Sequence, residues 1–127
     1  MSYISWEYYG SLYSEVPEDD FDRLCAKASA KLDVYTRMRA KNFETAFDEE
    51  TATDFQKLVH AQIQNTVCEL MNAMYVQETS GMGTGVASVS NDGYSESYKI
   101  TTAAEKEAQL LMITRSGLSG TGLVSAL

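Results

Sequence analysis

Two cysteines, one histidine and a glycine-rich pentapeptide are the residues whose chemistry could carry a reaction. Cys25 and Cys68 lie 43 positions apart within apolar surroundings, and neither belongs to a C-x-x-C pair. That spacing reads as two small buried thiols. His60 is the sole histidine, and its neighbours three and four positions away are Gln56, Lys57, Ile63 and Gln64. A zinc site needs several nitrogen or sulfur ligands on one face, so no metal site is read from the chain. A Ser-His-Asp or Cys-His relay would have to recruit the same histidine, and no serine sits in a recognisable nucleophile elbow. With Glu69 as the other candidate, no pocket of convergent titratable groups assembles. The expectation is a protein that is not an enzyme and holds no cofactor.

Gly81-Met82-Gly83-Thr84-Gly85 carries three glycines. A phosphate loop ends in Gly-Lys-Ser/Thr, and a dinucleotide fingerprint stands between a strand and a helix. Here a helical pattern precedes the glycines and a strand-like segment follows, which predicts a hinge at Gly81, Gly83 and Gly85.

Ten Lys and Arg against eighteen Asp and Glu give a formal charge of −8 and a pI near 4.5. An acidic chain has no generic grip on phosphate, so no specific nucleic-acid binding is expected. No apolar run approaches the roughly 18 residues of a membrane span, and Met1–Glu7 lacks the basic start and apolar stretch of a secretory signal. The chain is read as made in the cytoplasm, not secreted by that route and not held in a membrane. At 127 residues, of which 44% are hydrophobic, a single domain over 1–127 is expected.

The elements follow from periodicity. Residues 1–16 form an aromatic amino-terminal arm carrying Tyr3, Trp6, Tyr8, Tyr9 and Tyr13, suited either to an interface or to packing over the chain's own core. Residues 17–78 hold two long antiparallel helices. The first, about 18–38, has Pro17 and an acidic run at its start and Arg37, Arg39 and Lys41 at its end, with Phe21, Leu24, Cys25, Ala28, Leu32, Tyr35 and Met38 on one stripe. A polar connector over 40–50 is pinned by Phe43 and Phe47. The second helix starts near Asp48 or Thr51 and runs to Glu78, and its apolar set includes Phe55, Leu58, Val59, Ile63, Val67, Leu70, Met71, Met74 and Tyr75. Met38, Met71, Met74 and Met112 read as core filling.

After the glycines, Asp92-Gly93 between Val86–Asn91 and Tyr94–Ile100 predicts a β-hairpin over 86–99. Its apolar face would carry Val89, Tyr94 and Tyr98, available to the helices or to another subunit. Thr102-x-x-Glu105 opens a third helix over 102–116, packed across the first two with Ala104, Ala108, Leu111 and Met112 on one face. Residues 117–127 form an uncharged carboxy-terminal arm. It displays Leu118, Leu123, Val124 and Leu127, with Gly120 and Gly122 between them, and it is expected to attach to another protein while adding little to its own fold. The fold class is mainly α: a small bundle of two long helices and a shorter one, with a projecting hairpin.

Tyr3-Ile-Ser-Trp-Glu-Tyr-Tyr-Gly-Ser-Leu-Tyr13, Pro17-Glu-Asp-Asp-Phe21, Ala28–Thr36 and Arg39 together resemble the start of tailed-phage head–tail connector (adaptor) proteins. The Ser- and Tyr-rich run Val86–Tyr98 and the closing Leu118-Ser-Gly-Thr-Gly-Leu123 are similar to that family's hairpin and carboxy-terminal Gly-Leu signature, in the family's order. Val124-Ser-Ala-Leu127 departs from the aromatic and basic residues of that ending. The resemblance implies a structural subunit of the virion neck, assembling into a ring of about a dozen copies beneath the portal. The ring would join the portal to a stopper or tail-completion protein around the channel by which the genome leaves. It also implies that the 118–127 arm docks on the portal. The alternative is a small acidic helical protein-binding or regulatory module acting as a monomer or dimer.

Overall fold

The computed structural model describes residues 3–82 and 102–124. Among these, five helices follow one another and no strand occurs: α1 (Trp6–Leu12), α2 (Glu18–Tyr35), α3 (Arg39–Ala46), α4 (Asp54–Met82) and α5 (Ala103–Gly117). The expected hairpin over 86–99, with Val89, Asp92, Gly93, Tyr94 and Tyr98, lies outside the described residues.

The longest element, α4, is about 43 Å by its rise and forms the spine on which α2 and α5 pack. Arg23 and Lys27 near the start of α2 reach Glu78 near the end of α4, at 2.7 and 3.3 Å, so these two helices are antiparallel. Gln77 of α4 donates to the Lys106 carbonyl at 3.3 Å, and Gln62 donates to the Gly117 carbonyl at 3.2 Å. The third long element therefore lies along α4, antiparallel to it, instead of crossing the pair as expected. Lys31 closes the third side with an ion pair to Glu107 at 2.7 Å. These bridges are solvent-accessible and set register more than they add stability.

The core is the stripe the periodicity picked out. Phe21, Leu24, Cys25, Ala28 and Leu32 of α2 meet Val59, Ile63, Val67, Leu70, Met71 and Met74 of α4. Three buried threonines, Thr36, Thr66 and Thr114, satisfy their hydroxyls by donating to the carbonyl four residues earlier, at 2.8, 2.7 and 3.1 Å. Both cysteines are buried, as their apolar surroundings predict.

Several boundaries differ from the expectation. The first long helix stops at Tyr35, not near Met38. The Arg37 N–H donates to the Val34 carbonyl at 3.1 Å and the Met38 N–H to the Asp33 carbonyl at 2.8 Å, the paired bonds of a Schellman stop. Arg37 and Met38 sit at φ 53° and 66°, and most of the polar connector after them is the helix α3. Left-handed backbone costs an L-residue about 1–2 kcal/mol. Arg37 is exposed, so Arg37→Gly is expected to stabilise by about 1 kcal/mol and raise Tm by a few degrees. A fall in Tm on thermal melting would contradict this.

The second long helix opens at Asp54, where Thr53 and Gln56 form a reciprocal cap. The Gln56 N–H donates to Thr53 Oγ1 at 3.1 Å, and the Thr53 N–H to Gln56 Oε1 at 2.9 Å. Its end runs past Glu78 to Met82, so Gly81 belongs to helix and not to a hinge; Gly83 and Gly85 lie outside the described residues. At α5 the expected Thr102–Glu105 capping box is present.

Candidate interaction surface

The amino-terminal arm folds onto its own chain. Ser5 caps α1 by accepting from the Tyr8 N–H at 3.1 Å, and the helix lays its tyrosines over a polar stripe of α4. Asn65, Glu69 and Asn72 recur at steps of four and three, which sets them on one face. Tyr8 donates to Asn65 at 2.8 Å, Tyr13 to Glu69 at 2.9 Å, and Tyr9 to Asn72. The fully buried Tyr9 hydroxyl also accepts the Val16 N–H at 2.9 Å, and Tyr3 donates to Asp33 of α2. Trp6 stacks on Tyr9 with ring centroids 5.9 Å apart and meets Phe21 edge-on at 5.5 Å. Of the two roles open to the arm in sequence, the structure shows packing over the chain's own core.

Burial raises the phenol pKa of Tyr3, Tyr8, Tyr9, Tyr13 and Tyr35 above the ordinary 10.0, and carboxylate acceptors at Asp33, Glu69 and Glu107 add to the effect for Tyr3, Tyr13 and Tyr35. A group with a raised native pKa contributes stability that is complete below the unfolded value and is lost as pH rises through the native one. Stability is therefore expected to decline above about pH 10. In a tyrosinate absorbance titration, these phenols should ionise late, together with loss of the helical circular dichroism signal. Ionisation of all eight tyrosines in one phase with the helices intact would contradict the burial of these hydroxyls.

The carboxy-terminal arm is also committed. Leu118 is 1% and Leu123 8% exposed, both within the main core, and Val124 packs against it. The expectation of a tail that adds little to its own fold is overturned. Gly120 and Gly122, at φ 83° and 80°, turn the chain back on itself, and the Thr121 hydroxyl donates to the Leu118 carbonyl at 2.7 Å. Leu127 lies outside the described residues.

His60 and Glu69 do not converge. Nine residues apart on one helix, they are about 13.5 Å apart along the axis and on opposite sides. His60 Nδ1 lies 2.7 Å from Glu44 Oε2, and its ring stacks on Phe47 at 4.3 Å, which ties α3 to α4. Burial, with Cys25 and Glu69 nearby, pushes the Cys68 thiol up to about 12, so it stays protonated and unreactive at neutral pH. Among the described residues no three His, Cys, Asp or Glu side chains group to hold a metal ion, and no helix is long and apolar enough to cross a membrane.

Exposure is concentrated elsewhere. A groove of about 410 Å³ runs between α4 and α5, with Gln62, Asn65 and Glu69 on one wall and Met112, Ile113 and Ser116 on the other. Its floor is a close approach of Thr66 and Gly117. Met112 at 67%, Phe55 at 57% and Leu58 at 56% exposure face solvent, where the sequence placed them among core-facing residues; Met38 is exposed too, while Met71 and Met74 are buried as expected. The buried face of α5 carries Leu110 and Thr114, while Ala104 and Ala108 are exposed. The approach of Gly117 to Thr66 turns Thr114 inward, displacing the expected Ala104–Met112 face by part of a turn.

Comparison of the chain with protein-family models, with curated proteins and with solved structures finds no match.

Proposed function

We propose that this chain is a structural subunit of a tailed-phage head–tail connector, forming a ring in the virion neck between the portal and the stopper or tail-completion protein. The observation that carries the reading is the order and spacing of the sequence blocks Tyr3–Tyr13, Pro17–Phe21, Val86–Tyr98 and Leu118–Leu123. The mainly helical bundle is compatible with it, and the first and last of those blocks meet on one turn of α4, where Tyr8 reaches Asn65 and Gln62 reaches the Gly117 and Ser119 carbonyls. A formal charge of −8 suits a ring through which DNA passes without adhering. In this reading the portal contact uses Ser119, Gly120, Gly122 and the residues after Val124, since Leu118 and Leu123 are occupied.

Sedimentation velocity and negative-stain imaging at rising concentration test the proposal. Closed rings of about a dozen copies that do not retain duplex DNA are expected. A compact particle of one or two chains at every concentration would overturn the ring and favour the small acidic binding module. Portal, protease and major capsid genes beside the coding sequence would be independent support.

A further inference from the structure

The turn between α2 and α3 holds its backbone firmly and its side chains outward. Besides the Schellman pair, the Arg39 N–H donates to the Thr36 carbonyl at 3.0 Å, the Ala40 N–H to Thr36 Oγ1 at 3.3 Å and the Asn42 N–H to the Met38 carbonyl at 2.9 Å. Val34 is nevertheless 69% and Met38 44% exposed, and Arg37 and Arg39 are exposed beside them. The residue in Met38's place in a Schellman stop commonly packs on the third helical residue from the end. Here that residue is Asp33, which is taken by Tyr3 and Lys41. Neither arginine side chain has a hydrogen-bond or ion-pair partner among the described residues. Two consecutive L-residues thus keep left-handed backbone, where glycine costs less, while presenting a thioether and a guanidinium to solvent. Strain held at an exposed position is characteristic of a functional surface.

The groove between α4 and α5 has the complementary character. Met112 and Ile113 form its apolar wall and Glu69 stands on the other. Glu69 Oε2 accepts from Tyr13, and no cation among the described residues pairs with that carboxylate. An apolar wall facing an unpaired carboxylate suits an occupant that sets an apolar side chain beside a cation, as the turn does. Other parts of the chain match less well. The exposed members of the run at the start of α2, Glu18, Asp19 and Asp22, have the groove's own sign, and residues 83–101 carry Asp92 and Glu96 against Lys99 alone. Lys57 and Leu58 join one cation to one apolar group, but on an unstrained helix with Asp54 a turn away. No residue of α2 or α3 lines the groove, so a turn that fills it belongs to another copy.

We propose that the α2–α3 turn of one copy seats in the α4–α5 groove of the next, with Met38 against Met112 and Ile113 and the Arg37 and Arg39 guanidiniums toward Glu69. The contact joins two different surfaces, so repetition gives a ring where the rotation closes and an open chain or a reciprocal dimer where it does not. It rests on the connector reading only for ring closure.

Sedimentation velocity of full-length variants over a concentration series tests the contact. The turn variant Arg37→Gly/Arg39→Glu relieves the left-handed backbone and puts an acid in the first turn of α3, so its Tm should equal or exceed that of wild type. Its concentration for half-assembly should nevertheless rise about tenfold or more. Glu69→Arg should cause a similar rise, and combining it with the turn variant restores opposite charges across the contact and should recover assembly. Glu69→Arg also gives up the Tyr13 bond, so Met112→Ser, which breaks no hydrogen bond, repeats the test of the seat and should weaken assembly with Tm unchanged. Wild-type-like rings from the turn variant, or a combined variant that assembles no better than either parent, would overturn this contact and leave the ring standing. Recovery of Glu69→Arg by Lys57→Glu instead would overturn the turn as the occupant. Dimers or open chains from wild type, with the stated losses and recovery, would uphold the contact and overturn the ring. A wild-type chain that stays monomeric at every concentration would overturn both.

Discussion

Truncation before Leu118 is expected to lower the melting temperature steeply and leave much of the chain unfolded at 37 °C. Leu118 and Leu123 are buried in the main cluster beside α4 and α5, and burying a leucine contributes about 1.5–3 kcal/mol. Losing both removes about 3–6 kcal/mol from a total that for a domain of this size is about 5–15 kcal/mol. The truncation also removes Ser119, whose carbonyl accepts from Gln62 at 3.4 Å, and uncovers the core surface beneath. Leu123→Ala should show a graded version, about 2–5 kcal/mol in urea unfolding, because its cavity is only partly refilled. A truncated chain within about 1 kcal/mol of the full one would restore the tail to the role of a free arm.

Gly117→Ala is expected to destabilise by about 1–3 kcal/mol, although the same exchange within a helix ordinarily gains up to about 1 kcal/mol. A Cβ at Gly117 would stand 2.1 Å from Thr66 Oγ1, which itself donates to the Gln62 carbonyl at 2.7 Å and is not free to swing away. Thr66→Ala removes that oxygen and with it the hydrogen bond it donates to the Gln62 carbonyl within its own helix. In the Thr66→Ala background the added methyl should be mostly tolerated, with a tight 3.1 Å approach to the Cβ of residue 66 remaining. Urea unfolding of the four combinations should give a coupling of about 1–3 kcal/mol. Equal effects of Gly117→Ala in both backgrounds would show that α4 and α5 are not held at this distance by the missing side chain.

The two experiments act on features of different legibility. The stripe from Phe21 to Leu32 and that from Val59 to Met74 can be read in the sequence, because a helix repeats every 3.6 residues whatever it packs against. The Thr102–Glu105 box is equally local, and so is Thr53-x-x-Gln56, which marks the start of α4 more sharply than the acidic run before it.

Which turns of a periodic helix find a neighbour is not local. Phe55 and Leu58 belong to the apolar set of α4 and still face solvent: Leu58 stands only one rise from the buried Val59 but about 100° around the helix from it, on the solvent side. The tyrosine arm needed Asn65, Glu69 and Asn72 to meet Tyr8, Tyr13 and Tyr9 across more than fifty residues of chain. The tail offered Leu118 and Leu123 without indicating whether they would be buried within the subunit or against another. Periodicity records the side of a helix on which apolar groups lie; the surface that covers them is fixed only when α2, α4 and α5 are brought together, since burial depends on distances in space that sequence spacing does not carry.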